Sequence, residues 1–215
     1  MKTINEINEF LLHENYYKSG VMLNDPQPLP GQSQAVCVYR ELYNETIPVF
    51  SMVLPIHNQD DIIARNMKTY FEHTTGTYEL IVILDNCVDN TEKEVINLLN
   101  SLKNNPPYVG AIVIRQDTPI YETSCDNIGF RLARGKYALQ LQPDMQMVET
   151  GYNEAIARPF EKYNDVLGVS GRGCHKFKPW HGPGKLGMKM ERPLEPEWDA
   201  KRNTFFIGET CMRGP

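Results

Sequence analysis

The chain has no apolar run approaching the ~20 residues that a membrane-crossing helix needs. Its N-terminus (MKTINEINEFLLHENYY) also lacks the apolar core of a signal peptide, so a cytoplasmic location is the expectation. There is no CxxC, and the five cysteines (Cys37, Cys87, Cys125, Cys174, Cys211) are odd in number and far apart. They read as reduced thiols rather than as a disulfide frame. No polybasic run occurs among the 22 Lys and Arg residues, and the net charge of -5 argues against a nucleic-acid partner. No GxGxxG follows a strand, which sets aside a dinucleotide-dependent oxidoreductase. Internal repeats and low-complexity tracts are absent as well.

What is present is an ordinary globular composition, 41% hydrophobic and 23% charged, over 215 residues, enough for one sizeable core. Near-helical spacing of Ile4, Ile7, Phe10, Leu11 and Leu12 predicts a short helix within residues 3–18, and a Pro-rich connector (Asn24 to Gln34) follows. Residues 1–46 therefore read as an N-terminal extension, with the core starting at the strand Ile47 to Gln59. Asp60 and Asp61 open a helix, where acidic side chains suit the positive end of the dipole. Next come strand Tyr78–Leu84, helix Asn90–Asn104, strand Val109–Ile114, helix Ser124–Arg134 and strand Lys136–Leu141. This alternation predicts an α/β fold with a mostly parallel central sheet flanked by helices. A helix over Glu149–Tyr163 and strands Val166–Ser170 and Asn203–Ile207 follow, separated by an irregular Gly/Pro/aromatic segment, 171–202, that suits a lid or acceptor wall.

Two segments carry the chemistry. IVILDNCVDNT (Ile81 to Thr91) and CDNIGFRLARGKYALQLQPDM (Cys125 to Met145) each run an apolar string into carboxylates, where a parallel sheet presents its ligand-binding groups. A carboxylate there can hold a sugar hydroxyl, a base edge or a hard cation. Asp89 followed by Asn90, Thr91, Glu92 and Glu94 is equally good helix-capping chemistry, and Asn58 equally suits loop capping. Asp144 after Pro143 also fits a plain turn. Gly135 reads as a helix C-cap and Arg134 as solvated surface. Cys174, His175, His181 and Cys211 match no zinc spacing.

Taken in order, the motifs resemble those of the family 2 glycosyltransferases of the GT-A fold. The family string ARNxG…A.GEY…LDxD is matched from Asp126-Asn127-Ile128-Gly129 through Ala133-Arg134-Gly135-Lys136-Tyr137 to Gln142-Pro143-Asp144. The family's VxxPxxN strand end is matched by Val53 to Asn58, and its VVDDGSxDxT by Ile81 to Thr91. The resemblance covers about residues 47–172 and implies one GT-A-type domain, 47–215, with a donor half (47–147) and an acceptor half (148–215). It implies a nucleotide-diphospho-sugar donor, UDP favoured, and transfer of a hexosyl or deoxyhexosyl group to a glycan or other hydroxyl acceptor, with Mn²⁺ or Mg²⁺ and inversion. By the same resemblance, Pro55, Ile56, Asn58 and Asp85 hold the nucleoside, while Asp126, Asn127, Arg131 and Gln142 contact sugar or phosphate. Asp144, with His175 as a further ligand, takes the metal, and Trp180 and His181 form an aromatic wall for the acceptor.

The chain departs from the family in one place that matters: Gln142 stands at the first acidic position of the DxD, so only Asp144 brings charge. An inverting transferase also needs a general base, and Glu209 is the nearest candidate. The tail Gly208 to Pro215 reads as the lead-in to an acidic motif rather than as a terminus, so further domains beyond Pro215 are expected. Two other readings stay open. One is a nucleotide-sugar-binding domain that has lost its chemistry. The other is a sugar-nucleotide pyrophosphorylase, which PIHNQDD disfavours because it offers neither glycine nor a basic residue to a triphosphate.

Overall fold

A computed structural model describes residues 2–13, 35–42, 46–102, 106–169, 196–199, 204–207 and 211–213. They fall in two compact units, Met1–Thr150 and Gly151–Pro215. No helix among the described residues is long and apolar enough to cross a membrane.

The first unit is built on a five-stranded sheet of β1 (Val36–Leu42), β2 (Phe50–Ile56), β3 (Tyr78–Asp85), β4 (Tyr108–Gln116) and β5 (Tyr137–Gln140). Its order is β1-β4-β3-β2-β5. β2 to β5 run parallel, and β1 alone pairs antiparallel, on the edge of β4. Every residue of β2 and of β3 is buried, the continuous apolar run expected of a parallel strand covered on both faces. On one face Val53, Ile81, Ile83, Ile112 and Ile114 pack with Ile7 and Leu11 of α1 (Ile4–His13) and with Cys125, Ile128 and Leu132 of α4 (Tyr121–Leu132). The alternate strand residues, Met52, Leu54, Leu80, Val82 and Leu84, are equally buried. They point to the opposite face. The remaining helices, α2 (Ile63–His73) and α3 (Thr91–Ser101), contribute buried Ile63, Met67, Tyr70, Val95 and Leu99.

Pro55 sits in this central strand without leaving a donor missing. The Val53 carbonyl accepts from Leu141 N–H at 2.8 Å on the β5 side. Two residues later, Pro55 faces the same side beyond the last β2–β5 pair, Val53 with Gln140, where no partner strand needs its N–H.

Three expectations are corrected here. Residues 1–46 are not merely an appendage, because β1 completes the sheet and Ile7 is 0% exposed in the core. β1 escaped notice because an edge strand reading VCVYREL is only half buried and carries charge. Arg134 is not solvated surface: its Nε and Nη2 donate to Glu79 Oε2 at 2.9 and 2.7 Å, and Glu79 is 1% exposed. The Ser51 hydroxyl donates to Glu79 Oε1 at 2.6 Å and accepts from the N–H groups of Arg134 and Gly135. Gly135 is not the C-cap of α4, a place taken by Ala133. A Cβ at 135 would lie 2.7 Å from Ser51 N, so the glycine is required by close approach to β2. Gly129 answers a similar need, since a Cβ there would meet Val53 Cγ1 at 2.2 Å where α4 presses on β2.

The second unit holds α5 (Tyr152–Lys162) and a four-stranded antiparallel sheet of β6 (Val166–Val169), β7 (Pro196–Asp199), β8 (Thr204–Ile207) and β9 (Cys211–Arg213), in the order β6-β9-β8-β7. β8 stands where a last strand was expected. β7 falls within the segment read as irregular, and β9 adds a strand that was not anticipated.

Candidate functional site

The sheet order reverses at β2, with β3 on one side and β5 on the other. The crevice beyond the carboxyl ends of these strands is where such sheets bind ligands. The strand ends there carry His57, Asn58, Asp85 and Asn86, and the turn after β5 carries Gln142 and Asp144.

Asp85 is buried at the end of β3, and both its oxygens are occupied. Ile120 N–H donates to Oδ1 at 2.7 Å and Tyr121 N–H to Oδ2 at 2.9 Å, so this carboxylate caps α4 from another element. Burial raises its pKa, and those two backbone bonds offset only part of the rise. Beside it, the His57 ring lies with Nδ1 2.6 Å from the Asp85 carbonyl and Nε2 3.1 Å from Asn58 Nδ2. A carbonyl can only accept, so Nδ1 carries the proton and Nε2 accepts from the Asn58 amide. Asn58, at φ 48°, accepts from Val88 N–H at 2.9 Å and so ties the β2 loop to the β3 loop.

A second strap runs through Asp89. Its carboxylate accepts from Thr91 N–H at 3.0 Å and Asp60 N–H at 3.2 Å, and Asp60 accepts in return from Asn90 N–H at 3.3 Å. Burial alone would raise the Asp89 pKa, but the Thr91 and Asp60 hydrogen bonds outweigh it and hold the group below its ordinary value. Cys87 sits in the same loop, its thiol pushed up to about 11, chiefly by burial, with its Sγ donating to the Ile56 carbonyl at 3.3 Å.

The turn that carries Asp144 is held from α2. The single Tyr70 hydroxyl proton is shared between the carbonyls of Gln142 (2.7 Å) and Met145 (2.9 Å), and Asn66 Nδ2 donates to the Pro143 carbonyl at 2.8 Å. Asp144 itself is exposed at the tip. The Gln142 amide donates to Glu122 Oε1, and Gln140 Nε2 reaches the same oxygen at 2.9 Å. The first turn of α4 thus spans the crevice, touching the end of β3 through Tyr121 and the end of β5 through Glu122.

Of the residues anticipated from sequence, Asn58, Asp85, Gln142 and Asp144 come together at this edge. Pro55 and Ile56 are buried within β2, and His57 takes the exposed position after them. Arg131 lies ten residues along α4 from Tyr121, about 15 Å at 1.5 Å per residue. Asn127 is exposed on the same helix. Asp126 is half-buried with Oδ1 enclosed and without a hydrogen bond, and its pKa is raised to about 6 by burial and by Glu122 one turn earlier. His175, Trp180, His181 and Glu209 lie outside the described residues. His57, Asn66, Tyr70, Tyr121 and Glu122 are site residues that the sequence reading missed. An asparagine at helical spacing among Ile63, Met67 and Tyr70, on the apolar face of α2, is the signal that could have found Asn66.

Among the described residues, no three His, Cys, Asp or Glu side chains gather as a metal cage. Asp144, an exposed carboxylate in the turn after β5, would suit a hard cation such as Mg²⁺ or Mn²⁺.

Residues 51–213 match the family described as Glycosyl transferase family 2. No curated protein sequence matches the chain. Among solved structures, S. aureus TarS 1-349 in complex with UDP is similar at 20% identity with a TM-score of 0.44, covering 59% of this chain and 38% of that one. S. aureus TarS is similar at 18% identity with a TM-score of 0.42, covering 59% of this chain and 23% of that one. The matched region thus spans less than two fifths of the length of either structure.

Proposed function

The chain belongs to glycosyl transferase family 2, and from that membership we propose that it transfers a sugar from a nucleotide-diphospho-sugar, a UDP-sugar by preference, to an acceptor hydroxyl. The observation that carries this reading is convergence. The ends of β2 and β3 and the turn after β5, three stretches far apart in sequence, meet at the point where the sheet order reverses. Within the reading, the nucleoside lies along the Asn58–Asp85 side and the diphosphate along Gln142 and Asp144. Asp144 holds the Mg²⁺ or Mn²⁺ ion, which when bound offsets the charge that grows on the departing nucleoside diphosphate. Tyr70 and Asn66 keep the Asp144 turn in place before the donor arrives, so no ordering cost falls on the reaction itself. Gln142, neutral and bonded to Glu122, orients donor hydroxyls rather than sharing the metal. Inversion, with Glu209 as base and Trp180 and His181 beside the acceptor, completes the proposal.

The test is donor turnover in Asp144→Ala, read as release of nucleoside diphosphate across a panel of nucleotide-sugars with and without Mn²⁺. We expect the metal-dependent rate to fall by about a hundredfold or more, with the melting curve unchanged. Full activity in that variant would remove the metal role. Binding of a donor by the wild type without any turnover would instead favour a binding domain that has lost its chemistry.

A further inference from the structure

At the carboxyl edge of the sheet, Val88, Asn58, His57 and Asp85 form a chain of hydrogen bonds whose direction is fixed from both ends. Val88 N–H can only donate, and it donates to Asn58 Oδ1 at 2.9 Å. That leaves Asn58 Nδ2, also a donor, 3.1 Å from His57 Nε2, so Nε2 must accept. At the other end Nδ1 lies 2.6 Å from the Asp85 carbonyl, which can only accept, so Nδ1 holds the proton. The neutral imidazole protonated on Nδ1 satisfies all three bonds. An imidazolium breaks the chain, because Nε2–H and the Asn58 amide become two donors face to face. Turning the amide over only moves the conflict, since Nδ2 would then face the Val88 N–H. The Asn58–Val88 bond joins the loop after β2 to the loop after β3 across 30 residues of sequence, so both loops feel the charge on one ring.

We propose that His57 is a positioning residue whose charge sets donor binding. As the neutral imidazole it holds Asn58 against Val88; on gaining a proton it releases the β3 loop and weakens the donor's hold. The inference rests on the donor reading above, which lays the nucleoside along Asn58 and Asp85. The ring is exposed, so a proton reaches it without unfolding, and imidazole is the side chain that changes charge between about pH 5 and 8. Its titratable neighbours do not supply the same response. Cys87, pushed up to about 11 chiefly by burial, stays neutral over that range. Asp89, where the Thr91 and Asp60 hydrogen bonds outweigh burial, stays charged and holds the Asp60 N–H in a strap that needs no imidazole. Burial raises the Asp85 pKa against the Ile120 and Tyr121 bonds and the His57 ring, but it is the Asp85 carbonyl, not the carboxylate, that the ring grips. Glu122, next on α4, is engaged by Gln140 and Gln142.

The experiment takes the full chain from about pH 8 to about pH 5, as wild type, His57→Asn and Asn58→Asp. NMR follows the Val88 amide signal of the ligand-free protein, and calorimetry follows UDP binding at both ends of the range. In the wild type the Val88 signal should move as the His57 ring gains its proton. UDP should then bind about tenfold more weakly at the acid end, the worth of one hydrogen bond. His57→Asn keeps a donor for the Asp85 carbonyl and has no proton to gain, so it should lose that tenfold response. The phosphates of UDP and the Asp126 carboxyl titrate in both proteins, so the difference between the two profiles reports His57. Asn58→Asp should keep Val88 in place at the acid end, because a carboxylate accepts from the Val88 N–H and from the imidazolium alike. Parallel UDP profiles in wild type and His57→Asn would overturn the proposal, as would a Val88 signal indifferent to protonation of the ring. Absence of UDP binding by the wild type at either end would sink the donor reading instead, and the ligand-free Val88 signal would still decide whether His57 holds the loop.

Discussion

A single carboxylate can carry a pH signature that its neighbours do not. Asp126 has one oxygen enclosed without a partner, and burial, with Glu122 adding repulsion, lifts its pKa from 3.8 to about 6. A raised carboxyl pKa means that the folded state holds its proton longer than the unfolded state does. The associated stability is therefore complete below pH 3.8 and is lost as pH climbs through 6. Asp126→Asn removes the charge at constant shape, so it should stabilise the protein at pH 7.5 by about 1 kcal/mol, after discounting for solvent screening of a half-exposed group. The gain should vanish near pH 4. Urea unfolding at both pH values checks this, and a gain independent of pH would show that the charge is not its source. At this scale the sequence was readable for residue type and poorly readable for partner. Asp85 and Asn58 were picked out from their strand ends, but their bonds to residues 120, 121 and 88 exist only once the strands are side by side.

Elements were legible wherever their signal was local. β2 to β5 and α2 to α4 stand within a few residues of their expected places, because continuous apolar runs and helical stripes need no outside help. α4 shows where this stops. Ser124 looked like its start, whereas the helix begins at Tyr121, since the group that caps it is Asp85, 35 residues upstream. The far end of α4 is fixed by an equally remote partner, Glu79, whose contact with Arg134 joins the α4–β5 turn to β2 and β3. Arg134→Met would leave Glu79 charged and buried with only hydroxyl and backbone donors, and should cost about 3 kcal/mol. Adding Glu79→Gln should restore part of that loss, because the stranded charge is gone. Denaturant midpoints of the three variants test it, and equal loss in the single and double variants would show that packing rather than charge is at stake.

For the molecule as a whole, the question is where the folding unit begins. The Pro-rich stretch after the first helix suggested a boundary near residue 46, since proline density argues against regular structure and says nothing about what lies on either side of it. Yet α1 and β1 lie before that boundary and belong to the same core as β3, β4 and α4. Fully burying an Ile or Leu side chain contributes about 1.5–3 kcal/mol, so losing Ile7 and Leu11 alone removes on the order of 4 kcal/mol. Deleting β1 also strips the paired edge from β4 and uncovers Ile112 and Ile114. Set against a total stability of about 5–15 kcal/mol, this predicts that a chain starting at residue 47 cannot hold the fold. It should melt without a cooperative transition, or with a midpoint at least about 10 °C lower, and should self-associate through the bare β4 edge. Circular dichroism melting together with size-exclusion chromatography of the truncated and full-length chains decides the matter. A truncated chain that stays monomeric and melts within a few degrees of full length would return residues 1–46 to the status of an appendage.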